Sequence, residues 1–406
     1  MRSLTRALLL GLAFVIPWEY SLDLGEPYGN IARVVGVALL FAAVLAVVRA
    51  WTFRAPGMPQ WLSLALFLWL CCTALWTLDR TESLRHLRTY AQELMILWVV
   101  WEFVDTRLEL RRLMQAYVAG AAVLAVLTLG SFVFASSTDQ VRFVAQGHDP
   151  NDAARMMVFA LPLAALLVNG ERGALRRTLF GAYLPFGTLA VLLTASRSGF
   201  VALLVALAGS FLLLLGTLRR AALAASFGIP ALAAAVWLSL PTQTLTRLAS
   251  VWDELQRGSL NQRWNIWEAG WQAVVHAPYF GSGAGSFVFA AHLASPDTAH
   301  NTALALAVEG GIVALVTAAA LAVGVTFCVL RTRGPVRIAL ASVLVVGLLS
   351  SMVATVQENR ATWLLLGMIS VAARLAAGHD EGTSPVFTSR EQMEACLSNA
   401  AAAAQE

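Results

Sequence analysis

Residues 302–330 read TALALAVEGGIVALVTAAALAVGVTFCVL, a stretch that contains one charged residue, Glu309. A helix needs about 20 apolar residues to cross the hydrocarbon core of a bilayer, so this stretch is long enough to span a membrane. An ionisable side chain inside such a span is costly to place in lipid and is usually functional. The stretch therefore predicts a transmembrane helix and makes Glu309 a candidate site residue.

The rest of the chain has the same apolar character. Hydrophobic residues make up 58% of its 406 residues and charged residues 13%. Soluble domains carry about 25% charged residues, so this composition excludes an ordinary soluble enzyme. We expect membrane lipids, and no nucleic acid, among its partners. All 28 basic residues are arginine, whose planar, permanently charged guanidinium group suits phosphate. The four cysteines lie in or beside apolar stretches or in the tail and predict no disulfide or zinc site.

Apolar stretches separated by charged or turn-rich breaks predict an all-α polytopic membrane protein of about 12 transmembrane helices. We expect residues 1–378 to form the membrane domain, with a periplasmic loop at 240–299 before the last three helices. Residues 379–406 should form a flexible cytoplasmic tail. The expected spans are 5–18, 30–50, 60–77, 87–104, 112–134, 153–169, 178–195, 199–217, 221–239, 300–330, 335–354 and 360–377.

The breaks between these spans alternate in charge. Every second break is short and rich in arginine, from Arg2 and Arg6 at the start to Arg374 at the end. The positive-inside rule assigns these breaks to the cytoplasm, so both termini should be cytoplasmic. The longer loops, where function usually lies, should face the periplasm of a bacterial inner membrane. Because that compartment has no ATP supply, a reaction there must use a substrate that is already activated.

His300 lies immediately before the long apolar stretch, in the run Ser295-Pro-Asp-Thr-Ala-His-Asn301. Histidine is the side chain best suited to move protons near neutral pH. We expect Asp297 to cap the following helix and His300 to lie in its first turn, where the helix dipole favours the neutral ring. Taken alone, such a histidine is more often bonded to backbone or headgroups. Glu309 should lie on the opposite side of a straight helix, although Gly310 and Gly311 could bend it.

Three arginines lie near the membrane boundary on the side expected to carry the long loops, where burying a charge costs free energy: Arg142, Arg197 and Arg263. Each could bind either lipid headgroups or a substrate phosphate. A divalent ion needs several convergent carboxylates, and beside Arg142 the sequence offers only the closely spaced pair Asp149 and Asp152. We therefore expect arginine rather than a metal ion to neutralise phosphate, and we expect no cofactor.

Two further segments belong to the longest loop. Residues 261–276 predict an amphipathic helix on the membrane surface, with Trp264, Trp267, Trp271 and Val274 on one face. The run Gly281-Ser-Gly-Ala-Gly285 resembles a phosphate-binding turn but lacks the strand–turn–helix context of a nucleotide site. It is better interpreted as a flexible turn that returns the chain to the membrane, without nucleotide binding.

Taken together, these motifs resemble the bacterial O-antigen ligase and polymerase superfamily of membrane glycosyltransferases. The resemblance rests on the turn Ala195-Ser-Arg-Ser-Gly199, on Arg263-Trp264 leading to Gly281-Ser-Gly283, and on Ala299-His-Asn301 with Glu309-Gly-Gly311. It covers roughly residues 140 to 375, and the order of the motifs is more specific than any one of them. It implies a GT-C-like architecture.

The resemblance implies an inverting, metal-independent ligase that transfers O-antigen from undecaprenyl diphosphate to the lipid A–core oligosaccharide on the periplasmic face, in lipopolysaccharide biosynthesis. His300 matches the catalytic histidine. Arg197 and Arg263 match the diphosphate-binding arginines, with Arg247 or Arg257 as alternatives to Arg263. Arg142 is a weaker match, and Glu309, Asn301 and Asp297 are possible supporting residues.

Three other functions remain open from the sequence. An O-antigen polymerase uses the same donor with a different acceptor, and a protein O-oligosaccharyltransferase uses a protein acceptor. A flippase for lipid-linked glycans belongs to another class, and it predicts inverted repeats with broken helices. The sequence contains no clear repeat.

Overall fold

The computed structural model describes residues 1–25, 29–50, 53–135, 141–170, 173–215, 241–250, 263–293 and 298–381. These residues form helices joined by turns, and the described chain contains no strand. The helices are α1 (Arg2–Val15, followed by a 3-10 turn, Ile16–Ser21), α2 (Ile31–Ala50), α3 (Met58–Thr73), α4 (Arg80–Phe103), α5 (Arg107–Val133), α6 (Pro150–Gly170), α7 (Ala174–Leu193), α8 (Arg197–Leu215), α9 (Thr242–Ala249), α10 (Arg263–His276), α11 (Phe287–Ala290), α12 (Thr302–Arg331), α13 (Gly334–Ser351) and α14 (Arg360–Glu381).

Local sequence signals set several of the helix starts. The carboxylate of Asp79 accepts hydrogen bonds from the Thr81 and Glu82 amides at the start of α4. Thr106 and Glu109 form a capping box at the start of α5. Both α3 and α13 have proline within their first two positions, where the missing amide proton costs little. These signals separate consecutive apolar stretches into distinct helices.

Helix α6 forms the centre of the bundle. It packs against α5, α7, α8 and α13, and all of its residues from 153 to 165 are buried. A helix that is buried on all sides has no polar face, and α6 is mainly apolar through this region. The buried hydroxyl groups of Tyr117 and Tyr183 donate to the carbonyl oxygens of Met156 and Met157, at 3.1 and 2.8 Å. Their polar atoms are therefore satisfied inside an apolar core.

The outer surface of the bundle is apolar as well. Large hydrophobic side chains project outward from several helices; Phe41 of α2 is 73% exposed and Val126 of α5 is 65% exposed. Soluble monomers rarely expose extended apolar surface. The outward-facing side chains are those expected of a surface that contacts lipid.

Seven of the described helices are long and apolar enough to cross a membrane: α2, α5, α6, α8, α12, α13 and the part of α14 up to Gly378. Eleven of the twelve expected spans coincide with a helix, and the remaining one, 221–239, lies outside the described residues. Helices α1 and α3 have only 14 and 16 residues. Charges dilute the apolar character of α4 and α7, such as Glu93 in α4 and Arg176 in α7. The all-helical class is confirmed, and the count of twelve stays a prediction.

The breaks between spans that were expected on one side of the membrane lie at one end of the bundle. At one end of the bundle, which we call the basic end, Arg6 and Arg54 pair with Asp105, and Arg374 donates to the carbonyl oxygen of Trp101 at 2.6 Å. At the opposite end, which we call the loop end, Arg360 pairs with Glu19. The contacts described below bring further residues to this end: Arg142, residues 194–197, Arg247 and residues 298–302. The alternation of charge along the sequence therefore separates two ends of the bundle.

Candidate active site

Arg197 is positioned by a tight turn between α7 and α8. Ala195 adopts a positive φ of 48°, which non-glycine residues rarely do. The hydroxyl oxygen of Ser196 accepts a hydrogen bond from the Gly199 amide at 3.0 Å and so caps the start of α8. Arg197 is the first residue of this helix, and its Nη2 donates to the Ser250 hydroxyl at 2.9 Å. The turn fixes the guanidinium group at the loop end.

Two other arginines bind the carbonyl oxygens of the same turn. Arg142 donates through Nε to the Thr194 carbonyl at 3.2 Å, and Arg247 donates through Nε to the Ala195 carbonyl at 3.2 Å. Arg197 reaches back toward the Arg247 carbonyl oxygen, with its Nε at 3.5 Å. Three guanidinium groups from separate segments therefore surround one turn.

The charges of these arginines act on one another. Burial lowers the pKa of Arg142, and the positive charges of Arg247, Arg263 and Arg197 lower it further, whereas Asp149 opposes the shift. Like charges placed together disfavour each other, so this turn carries a concentrated positive charge. A group with several negative charges, such as a diphosphate, is the ligand that four convergent guanidinium groups fit best. We call Arg142, Arg197, Arg247 and Arg263 the arginine cluster.

Helix α10 connects the arginine cluster to the segment that carries His300. The indole Nε1 of Trp267 donates to the Ala299 carbonyl oxygen at 3.0 Å. Arg263 lies four residues before Trp267, and residues at this spacing share one face of a helix. Arg263 thus lies on the face of α10 that contacts the residue preceding His300. The cluster and His300 belong to the same region of the loop end.

His300 itself has an unusual backbone conformation. Its φ is 46° and its side chain is half-buried, with Nδ1 at 3.3 Å from the Thr298 hydroxyl oxygen. Only three non-glycine residues of the described chain have positive φ: His300, His292 and Ala195 next to Arg197. Sparsely populated backbone conformations concentrate at functional sites, where the surrounding structure holds them in place.

The prediction that Asp297 caps the helix after His300 is wrong. Asn301, in an extended conformation, is the N-cap of α12, and its side-chain oxygen accepts from the Leu304 amide at 3.0 Å. Asparagine caps helices as well as aspartate, so the helix starts at Thr302 and His300 precedes it instead of lying in its first turn. Asp297 lies outside the described residues. The Asn301 side chain also donates to the Met352 carbonyl at 3.2 Å and ties this segment to the end of α13.

Helix α10 is present as expected, and its tryptophans follow one face at helical spacing but differ in exposure. Trp264 and Trp271 are 62% and 59% exposed, whereas Trp267 and Val274 are partly buried. Gly270 and Ala273 form the buried centre of the helix and pack toward α11 and α12. Packing against the chain, through the contact with Ala299, therefore buries part of Trp267, whereas Trp264 and Trp271 stay exposed.

The glycine-rich turn packs against a kink in α12. Gly311 has a φ of 65° and a ψ of −160°, a conformation outside the helix, which confirms that the glycine pair bends the span. The turn lies across this kink: the amide of Ser282 donates to Val308 and that of Gly283 to Glu309. A Cβ on Gly281 would lie 2.5 Å from the Glu309 carbonyl carbon. The glycines allow close backbone contact, and the phosphate-binding interpretation finds no support.

Glu309 is buried beside this turn, apart from His300. Its side chain is 3% exposed, accepts a hydrogen bond from the Gly285 amide and has His86 and Glu358 as charged neighbours. His86 pairs in turn with Glu358. We did not identify His86 and Glu358 from the sequence, where each is an isolated residue in a short break. One signal in the sequence points to this cluster of His86, Glu309 and Glu358. Glu82 and His86 are four residues apart, which places both on one face of α4.

Of the alternatives to Arg263, the structure brings Arg247 into the cluster alongside it, and Arg257 lies outside the described residues. The arginine cluster, Ser196 and His300 thus form one candidate site. Glu309 with His86 forms a second, buried polar group nearer the middle of α12.

Comparison with known protein families gives a match over part of the chain. Residues 182–319 match the family model described as O-antigen ligase, and this segment includes Arg197, Arg247, Arg263, His300 and Glu309. No curated protein matches the chain. Members of this family are membrane glycosyltransferase-like enzymes. This match confirms the resemblance to the O-antigen ligase superfamily over residues 182–319.

Proposed function

We propose that the chain is an O-antigen ligase that transfers the glycan from undecaprenyl diphosphate to the lipid A–core oligosaccharide. The observation that carries this proposal is the arginine cluster, which Trp267 of α10 links to the segment of His300. A diphosphate-linked donor provides both the charge that the arginines would bind and an activated leaving group. It requires neither ATP nor a nucleotide at the site.

The arginine cluster would bind the donor and stabilise its departure. As the bond between the anomeric carbon and the bridging phosphate oxygen breaks, negative charge grows on the diphosphate. Guanidinium groups already in place stabilise that charge without reorganisation. The fork of Arg197 is suited to bidentate contact with phosphate oxygens. The product of this step is undecaprenyl diphosphate.

His300 would act as the general base. The acceptor hydroxyl oxygen attacks the anomeric carbon while the imidazole takes its proton. A single displacement from the face opposite the diphosphate inverts the anomeric configuration. Asn301 would position His300 through its contacts with Leu304 and Met352.

We further propose that the loop end faces the periplasm, that both termini are cytoplasmic and that residues 221–239 supply the twelfth span. The distribution of arginine supports this orientation. It places the candidate site on the face where a lipid-linked glycan and lipid A–core can meet.

The decisive experiment is transfer by the purified protein. It should join a lipid-linked glycan donor to lipid A–core in the presence of EDTA, and the new linkage should have inverted configuration. Extension of the donor without an acceptor would instead indicate a polymerase, and glycosylation of an added protein acceptor an oligosaccharyltransferase. Movement of the donor across liposomes without bond formation would indicate a flippase. A requirement for Mg²⁺ would contradict the metal-independent mechanism.

A further inference from the structure

A cavity lies at the basic end of the bundle, at the opposite end from His300. Its volume is about 390 Å³, and it is formed where the start of α5, the end of α6, the start of α13 and the last turns of α14 meet. Three arginines contribute to its wall: Arg107, Arg111 and Arg333. Among the lining residues that the structure describes, none is a carboxylate.

Arg111 is inserted into the packing between α5 and α6. Its Nη2 atom is inaccessible to solvent, and a Cβ on Gly170 would lie 2.7 Å from that atom. The absence of a side chain at Gly170 thus makes room for the guanidinium group. Arg107 and Arg333 are exposed at the opening. The cavity therefore has one half-buried cation and two cations at its rim.

The inner wall of the cavity is apolar. Met114, Leu166 and Leu375 line it below the arginines, toward the interior of the bundle. An inorganic anion would contact the arginines but would make no use of this wall. A ligand with a charged head and a hydrocarbon chain matches both parts.

We propose that this cavity binds an anionic phospholipid, with its phosphate on the three arginines and an acyl chain along the apolar wall. Basic pockets between transmembrane helices at the cytoplasmic side bind anionic headgroups in this way. The site is separate from the proposed transfer reaction, which takes place at the loop end.

Native mass spectrometry of the purified full-length protein tests this proposal. The protein is incubated with equal amounts of phosphatidylglycerol and phosphatidylcholine of matched chains. Wild type should retain mainly phosphatidylglycerol. The Arg107→Gln/Arg333→Gln double variant should retain about 25-fold less phosphatidylglycerol than wild type. Each arginine near an anionic lipid accounts for about fivefold of this loss. Both residues are exposed, so the variant should fold, and Arg333→Gln alone provides a milder test.

The matched control is Arg112→Gln/Arg331→Gln, which removes the same charge from the same end without changing the cavity wall. It should retain phosphatidylglycerol as wild type does. Equal retention of the two lipids by wild type, or an equal loss in the control, would overturn the proposal. Displacement of phosphatidylglycerol by millimolar inorganic phosphate would also overturn it, because the site would then recognise free phosphate.

Discussion

At the scale of single residues, the proposed chemistry depends most on His300. General base catalysis contributes about 10²–10⁴ in rate, so His300→Ala should reduce transfer to the acceptor by that factor. The readout is product formed by purified protein, together with surface O-antigen in cells at matched protein level. His276→Ala is the control, because His276 is exposed at the end of α10 and contacts only the local Gln272 carbonyl among its described partners. Wild-type transfer by the His300 variant would remove it from the mechanism.

The shape of the Arg197 side chain should matter as much as its charge. Lysine keeps the charge but loses the planar fork and the contact with Ser250. A hydrogen bond to a charged group contributes about 1.5–3 kcal/mol, so Arg197→Lys should slow transfer about 10- to 100-fold. Arg176→Lys, on an exposed turn of α7, should have no effect. Undiminished transfer by Arg197→Lys, with unchanged thermal stability, would show that charge alone is sufficient.

At the scale of helices, the kink of α12 is the feature that joins the glycine-rich turn to the span. Alanine at Gly311 would have to adopt a conformation that costs about 1–3 kcal/mol for residues other than glycine. Its Cβ would also lie 2.3 Å from the Tyr279 carbonyl oxygen. Gly311→Ala should therefore lower the unfolding temperature in detergent and reduce transfer.

The control for the kink is Gly36→Ala in α2. This glycine is helical, and no atom lies within 4 Å of a Cβ placed on it. Alanine there should leave stability unchanged or raise it by up to about 1 kcal/mol, the difference in helix propensity. An unfolding temperature of Gly311→Ala equal to that of wild type would show that α12 can straighten without loss.

The helices were more predictable than the way in which they pack. Apolar length and turn residues locate helices well because membrane insertion and capping depend on short segments of sequence. The hydrogen bond that partly buries Trp267 depends instead on Ala299, 32 residues away. The cap of α12 was missed because Asp297 and Asn301 have equal intrinsic capping strength, and only the backbone conformation selects one of them.

At the scale of the whole molecule, the convergence of the arginines could not be derived from the sequence. Arg142, Arg197, Arg247 and Arg263 come from four separate segments, and each alone could anchor a headgroup. Their proximity follows from the packing of α6 between α7 and α8, which brings the breaks at the loop end together. The pairing of the half-buried His86 and Glu358 has the same origin, since long-range contact between α4 and α14 brings Glu358, just before α14, to α4.

The orientation of the bundle gives a prediction that tests the whole arrangement. Leu213 lies at the basic end, where its carbonyl oxygen accepts from Asn169 near the end of α6. Thr244 lies at the loop end, where its hydroxyl donates to the Val141 carbonyl. The described segments on either side of residues 216–240 are thus at opposite ends, as the expected span at 221–239 requires. Positions on either side of α7, α8 and that span should face different compartments.

Single cysteines in a cysteine-free background can measure this sidedness. Glu268→Cys, exposed on α10, should react with a membrane-impermeant maleimide in intact spheroplasts. Gly173→Cys, in open space before α7 at the basic end, should react only after lysis. The reverse pattern would place the candidate site on the cytoplasmic face. It would contradict the proposed ligase reaction, which takes place on the periplasmic face. Labelling of both cysteines in intact spheroplasts would show that positions 173 and 268 lie on the same side of the membrane. The twelve-span topology, which puts three spans between these positions, would then be contradicted.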